Sequence, residues 1–143
     1  MATKAALVGI CTIILDPSRK YFLLGQRLGK VMTAKLGLPG GMIEVGETLE
    51  EGSSRELREE TSLIARRQTY IGAIREERKN EDDFIHFAFV CEDYSGTPTT
   101  MEPQKCKGWE WYPLDSLPEN MVPGHRFALE IYLNPEGRAL REF

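Results

Sequence analysis

Glu56, Glu59 and Glu60 follow directly on Arg55 in a stretch that reads RELREE. In a helix of about 3.6 residues per turn these three carboxylates share one face. They repel one another there unless a cation sits between them, and hard divalent ions such as Mg2+ or Mn2+ take oxygen ligands of this kind. Taken alone, the same stretch also suits a solvated acidic helix with Glu–Arg pairs one turn apart. Gly40 and Gly41 lie upstream and can bring bare backbone up to a ligand, so a glycine carbonyl could complete a metal site. The formal net charge is -4, which leaves no broad basic surface for duplex nucleic acid. A phosphate anion must then be drawn in by something other than overall charge, and a bound cation meets that need.

The elements that position these residues follow from pattern. Thr48 and Glu51 form a Thr-x-x-Glu capping box, which opens a helix from Thr48 to Thr61. Ser53, Leu57, Thr61 and Ile64 make a neighbouring stripe that can face a core. The small Gly52 and Ser53 let that helix lie close to a sheet. Residues 5–15 are apolar and rich in Val, Ile and Thr, as a buried strand is. Asp16-Pro17-Ser18-Arg19 reads as a turn and Tyr21 to Gln26 as a second strand, so the two strands are candidates for a hairpin. Leu36 to Pro39 is a short extended piece that ends at Gly40-Gly41. Further strands are expected over Thr69–Glu76, Phe84–Glu92 and Trp109–Tyr112, with a loop over Asp93–Lys107. A turn-rich connection covers Pro113–Pro123, and a final helix covers Gly124–Leu133. Strands interleaved with helices give an α/β (α+β) layered architecture, expected as one domain over residues 1–143.

The spacing around the glutamates narrows the chemistry further. Gly41 is followed by Glu47, then Arg55-Glu56-Leu57, then Glu59-Glu60, and Leu63. This segment resembles the Nudix box, G-x5-E-x7-R-E-U-x-E-E-x-G-U with U a bulky aliphatic residue. Every fixed position matches except Ser62, where the family has glycine. Leu38-Pro39-Gly40-Gly41 is similar to the approach to the box in nucleotide-cleaving members. Glu102-Pro103-x-Lys105-Cys106-x-x-Trp109-Glu110-Trp111 is similar to a segment of the MutT-like nucleoside triphosphate diphosphatases. The likeness covers residues 5–118.

The resemblance implies a Nudix fold, a mixed β-sheet between helices in an α-β-α sandwich, with the box at residues 41–63. It implies cleavage of a pyrophosphate bond in a nucleoside triphosphate, with Mg2+ or Mn2+ as cofactor. The Gly41 carbonyl, Glu56 and Glu60 would be metal ligands, with Glu59 binding directly or through water. Arg55 would orient the glutamates, and Glu47 would pair with Arg55. Arg27 matches a basic residue that contacts substrate phosphate. Gly40 and Leu38 belong to the expected substrate site, Leu38 as lining of a base pocket. Glu102 stands where some members place a further glutamate, a metal ligand or general base; an exposed loop glutamate fits the residue equally. ADP-ribose-cleaving members tend to carry a proline past the box and dinucleoside-polyphosphate members a tyrosine. The region near Arg78 holds neither, which favours a nucleoside triphosphate. At Ser62 only the helix exit departs from the pattern, because glycine there would accept φ > 0.

Other readings weigh less. Gly25-Gln-Arg-Leu-Gly29-Lys30 is one residue short of a phosphate loop and lacks the following Ser/Thr. His86 sits opposite Phe87 and Phe89 in strand alternation; it packs, or it contacts a substrate base. His125 reads as a helix-start residue, and Trp109 and Trp111 as packing residues. No nucleophile-type triad signature is present. A nucleotide-binding Nudix-like domain without catalysis usually loses box carboxylates, and all three are kept here. A purely acidic interaction module does not need Arg55 or Gly40-Gly41 where they are. Cys11, Cys91 and Cys106 are an odd, widely spaced set without C-x-x-C, so neither a zinc knuckle nor a redox pair is expected. The chain shows no signal-peptide layout and no apolar run near the roughly 20 residues of a membrane span, so a cytoplasmic protein with no membrane partner is expected. The expected partner is a small nucleotide, and a homodimer stays open.

Overall fold

Alternation along the first apolar run decides how the layers assemble. A computed structural model describes residues 5–79 and 81–143. Strand β1 (Ala6–Ile14) sends Ile10, Thr12 and Ile14 to one side and Cys11, Ile13 and, just past its end, Leu15 to the other, and all six are buried. Helix α1 (Leu49–Thr61) covers the first face: Thr12 Oγ1 and Ser53 Oγ lie 2.6 Å apart, and Leu57 packs with Ile14, Leu63 and Cys91. Helix α2 (Pro123–Leu133) covers the second, where Ala128, Leu129 and Ile131 meet Cys11, Ile13 and Leu15. A β-layer between two helices is the result, as expected.

The remaining strands are β2 (Tyr21–Arg27), β3 (Leu36–Gly37), β4 (Gly40–Met42), β5 (Ile64–Glu76), β6 (Asp83–Ser95), β7 (Cys106–Pro113) and β8 (Leu140–Glu142). Five form a mixed sheet in the order β4-β1-β6-β5-β8; the other three form a second sheet, β3-β2-β7. Strand β1 runs parallel to β6, and β4 lies antiparallel on its other edge with Gly41 opposite Ile10 and Gly40 opposite Cys11. That pairing carries the two glycines under α1.

Some expectations need correction. The hairpin of the first two strands does not form, because both edges of β1 are taken by β4 and β6; a single bridge, Leu15 to Phe22, joins β1's exit to β2. Strand β5 begins at Ile64, not Thr69. Its first half is polar and bulged between Ala65 and Gln68, so no clean alternation marks it. Ile64 is half exposed and Leu63 fills the core position beside Leu57. Strands β6 and β7 run into the segment expected as loop, and β8 adds an edge strand that carried no signal.

Candidate active site

Capping and small residues set the orientation of α1. Glu51 N–H donates to Thr48 Oγ1 at 3.1 Å, and Thr48 N–H donates to Glu51 Oε1 at 2.9 Å. The helix buries Gly52, Ser53, Leu57 and Thr61, which turns Arg55, Glu56, Glu59 and Glu60 toward β4 and solvent. The inner contact is polar as well as apolar: Gln68 on β5 donates to Ser54 Oγ at 2.8 Å and accepts from Ser53 Oγ.

Arg55 ties the acidic face together. Its Nε and Nη2 donate to Glu47 at 3.0 and 2.8 Å. Nη1 donates to Glu56 at 2.9 Å and Glu59 at 3.1 Å, and Nη2 also reaches the Met42 carbonyl at 3.0 Å. A two-pronged contact of this type is strong and directional. Arg55 accordingly holds Glu47 down to about 2.

Glu56 and Glu60 are in the opposite situation. Burial raises the Glu56 carboxyl even with Arg55 beside it. Glu60 is pushed up to about 8, first by burial and then by the charges of Glu56 and Glu102, although Gly40 N–H donates to it at 2.8 Å. A Cβ on Gly41 would come within 2.5 Å of Glu56 Oε1, and one on Gly40 would strike the Ile10 carbonyl. Gly41 thus leaves room for the Glu56 carboxylate against the β4 backbone, and Gly40 lets β4 lie close on β1. An all-oxygen set with mutually raised acidic groups fits a hard divalent cation. Gly41, Glu56 and Glu60 would hold it, with the half-exposed Glu59 at the outer side.

The segment between β6 and β7 brings in Glu102. Thr99 N–H donates to the Thr61 carbonyl at 2.9 Å, Met101 N–H to the Glu60 carbonyl at 3.2 Å, and Trp109 Nε1 to the same carbonyl at 3.0 Å. The last carbonyls of α1, which have no partner inside the helix, are satisfied in this way. Glu102 then shares a groove of about 430 Å3 with Glu56 and Glu60. Arg27, Lys30 and Lys105 line the same groove, and Lys105 Nζ lies 3.4 Å from Glu102.

A second pocket of about 310 Å3 adjoins the groove through Arg27, Val31, Gly40, Gly41 and Met42. Ile10, Phe84 and Val122 give it apolar walls, and His86 and His125 line it. Leu38 is not brought to this wall. Its side chain lies in the core, and its backbone N–H donates to His125 Nδ1 at 2.9 Å. Cys11, His86 and His125 bring a sulfur and two ring nitrogens within 4.8 Å of one another, a spacing that metal ligands show. The Nδ1 lone pair of His125 is already committed, and burial holds the ring neutral by lowering it well below its ordinary value. Its other nitrogen therefore keeps a proton and is a donor, not a ligand. Cys11 is buried and its thiol is pushed up to about 12. We read the trio as pocket floor and core.

The sequence reading missed Arg78 and Phe84 of this pocket, together with Glu76 behind it. A signal existed for Glu76: along β5 the residues Gly72, Ile74 and Glu76 alternate inward, which puts a carboxylate at an apolar position. Among the described residues no helix is long and apolar enough to cross a membrane.

The NUDIX domain model matches residues 6–130. An oxidized purine nucleoside triphosphate hydrolase of Mus musculus is 30% identical over 107 residues, covering 74% of this chain and 65% of that protein. An ADP-ribose pyrophosphatase of Methanocaldococcus jannaschii is 29% identical over 107 residues, 74% of this chain and 62% of that protein. The chain thus matches somewhat less than two thirds of the length of these two relatives. The crystal structure of a MutT NUDIX hydrolase from Burkholderia pseudomallei superposes with a TM-score of 0.83 at 26% identity, covering 89% of this chain and 98% of that one. An acidic helix face read from spacing, a cradle of glycine backbone beside it and a family match over residues 6–130 converge on one assignment: the chain belongs to the Nudix family.

Proposed function

We propose that the enzyme hydrolyses a nucleoside triphosphate to a nucleoside monophosphate and pyrophosphate, using Mg2+ or Mn2+. The observation that carries this reading is the continuity of the two cavities. A groove lined by carboxylates and by Arg27, Lys30 and Lys105 suits a polyphosphate with its cation, and it opens into a pocket with an aromatic wall that suits a base. Gly41, Glu56, Glu59 and Glu60 would hold the cation, which would supply positive charge to neutralise the phosphate oxygens. Arg55 fixes Glu56 and Glu59 by hydrogen bonds. Arg27 binds a phosphate, and the Gly40 backbone, which lines both cavities, lies along the path of the phosphates. One carboxylate of the cluster, Glu102 among the candidates, accepts the proton of the attacking water. His86 stands at the base end.

The test is a screen of the purified protein with Mg2+ against nucleoside triphosphates, ADP-ribose, nucleotide sugars and dinucleoside polyphosphates. Release of pyrophosphate and a nucleoside monophosphate from a triphosphate, abolished by excess chelator, is the expected result. Undiminished turnover in chelator rules out the metal mechanism. Turnover confined to ADP-ribose or another diphosphate derivative rules out the triphosphate assignment.

A further inference from the structure

The pocket beyond the phosphate groove offers donors. Its polar lining is Arg27, Arg78, His86 and His125, and among the described residues no Asp, Glu, Asn, Gln, Ser or Thr side chain lines it. His125 accepts from Leu38 N–H through Nδ1, so its remaining polar atom is an N–H. The guanidinium of Arg78 lies 4.8 Å over the Phe84 ring with its Nε against Glu76. The outer N–H groups of that fork are left to a ligand.

Behind this lining stands a buried carboxylate. Glu76, the last residue of β5, is 3% exposed. Its Oε1 and His86 Nε2 are 3.8 Å apart, and both are buried without a hydrogen-bond partner among the described residues. Unpaired buried polar atoms are costly, and their retention calls for a use. The Nε2 end of the His86 ring is closed off by Gly124, where a Cβ would come within 2.8 Å of it. Nε2 faces the carboxylate without bonding to it, so Glu76 stands against the His86 ring while it is bonded to Arg78. His86 also lies against Phe84 at 4.5 Å and His125 at 5.4 Å between centroids, so Glu76, Arg78 and both histidines form one connected cluster.

We propose that Glu76 is a positioning residue that fixes Arg78 so that the pocket reads the carbonyl edge of a base, and that the enzyme prefers keto bases (guanine, uracil, thymine) to adenine. This rests on the pocket being the base site of the proposed reaction. A carbonyl oxygen accepts from Arg78 or from His125 Nε2–H. The exocyclic amino group of adenine turns a donor toward Arg78 and His125 Nε2–H, which have no free lone pair to accept it, and a site built to hydrogen-bond one group rejects its mismatched analogue strongly.

GMP, UMP and AMP are titrated calorimetrically into the intact protein without metal, and kcat and KM are measured for GTP, UTP and ATP with Mg2+. GMP and UMP should bind at least about tenfold more tightly than AMP, the scale of one well-formed hydrogen bond, and the preference should sit in KM rather than kcat. Glu76→Gln and Arg78→Ala should each shrink the preference to about threefold or less, by raising KM for the keto substrates. Arg78 lies toward the rim with a partly exposed side chain, so that variant decides the matter if Glu76→Gln does not fold. Equal binding of AMP and GMP by the unmodified enzyme, or a preference that survives both variants, overturns the proposal. A keto preference in binding without pyrophosphate release from any triphosphate upholds the base reading and overturns the proposed reaction instead.

Discussion

Glu60 is the residue on which burial, repulsion and backbone contact converge, and its substitution is the sharpest check on the site. In Glu60→Gln the side-chain oxygen can still accept from Gly40 N–H, while the charge is gone. We expect kcat to fall at least about a hundredfold, and the same for Glu56→Gln. Metal-free protein should melt no lower than the parent, because the repulsion between two partly buried carboxylates is relieved. Normal melting with near-full turnover in both variants would move the chemistry elsewhere. Arg27 tests substrate binding. Its Nε donates to the Val31 carbonyl at 3.2 Å, and its side chain lines both cavities. Arg27→Ala should raise KM more than it lowers kcat if the contact is equal in ground and transition states; an unchanged KM returns Arg27 to the role of a surface cation. The box glutamates were legible in the sequence because a helix converts fixed spacing directly into a shared face. Arg78 and Glu76 were not, since what makes them neighbours of His86 is the pairing of two strands across a turn.

At the scale of elements, the end of α1 shows the one departure from the family pattern. Ser62 has φ 65°, in the left-handed region, and its N–H donates to the Arg58 carbonyl at 3.1 Å. Serine therefore occupies the conformation in which the family has glycine. Ser62→Gly should stabilise the protein by about 1 kcal/mol, by removing the clash of a Cβ in that region. Its kcat should stay at the parent value, because the box glutamates are fixed upstream by the helix and Arg55. Thermal melts with steady-state kinetics decide this, and a large loss of kcat at constant melting temperature would place Ser62 in the site. Helix α1 and strand β1 were readable because a capping box and an apolar run are local signals. The first half of β5 was hidden by Arg66, Arg67 and Gln68, of which Gln68 faces α1 through Ser53 and Ser54. The hairpin expectation failed for a related reason: neighbours in sequence usually pair, but β1 found better edges in β4 and β6.

For the whole molecule, the neutral His125 links stability to pH. Folded, its pKa is lowered well below the ordinary 6.5 by burial; unfolded, the ring takes up a proton near that value. The unfolded chain thus binds more protons below pH 6.5. The stabilisation is complete above that pH and is lost as pH falls toward the folded value, at up to about 1.4 kcal/mol per pH unit. Glu76 is also held low, first by His86 and then by Arg78, but its contribution fades only below the ordinary carboxylate range. Urea unfolding at pH 7.5 and 5.5 should show the loss in the parent and a flatter profile in His125→Gln. Equal slopes would mean that His125 titrates normally when folded. The layered architecture was legible from the order of strands and helices. The second sheet, β3-β2-β7, was not, because it depends on which edges remain free once β1 is paired.

The carbonyls at the end of α1 carry a consequence in time. Glu102 follows directly on Met101, whose amide is held by the Glu60 carbonyl, while Thr99 and Trp109 grip the same helix end from either side. The segment cannot swing away without giving up these bonds and leaving the last carbonyls of α1 without their partners. Its excursions are opposed by that loss, and Glu102 is held beside Glu56 and Glu60 before any ligand arrives. If Glu102 serves the proposed reaction, a cycle begins without a search by this loop.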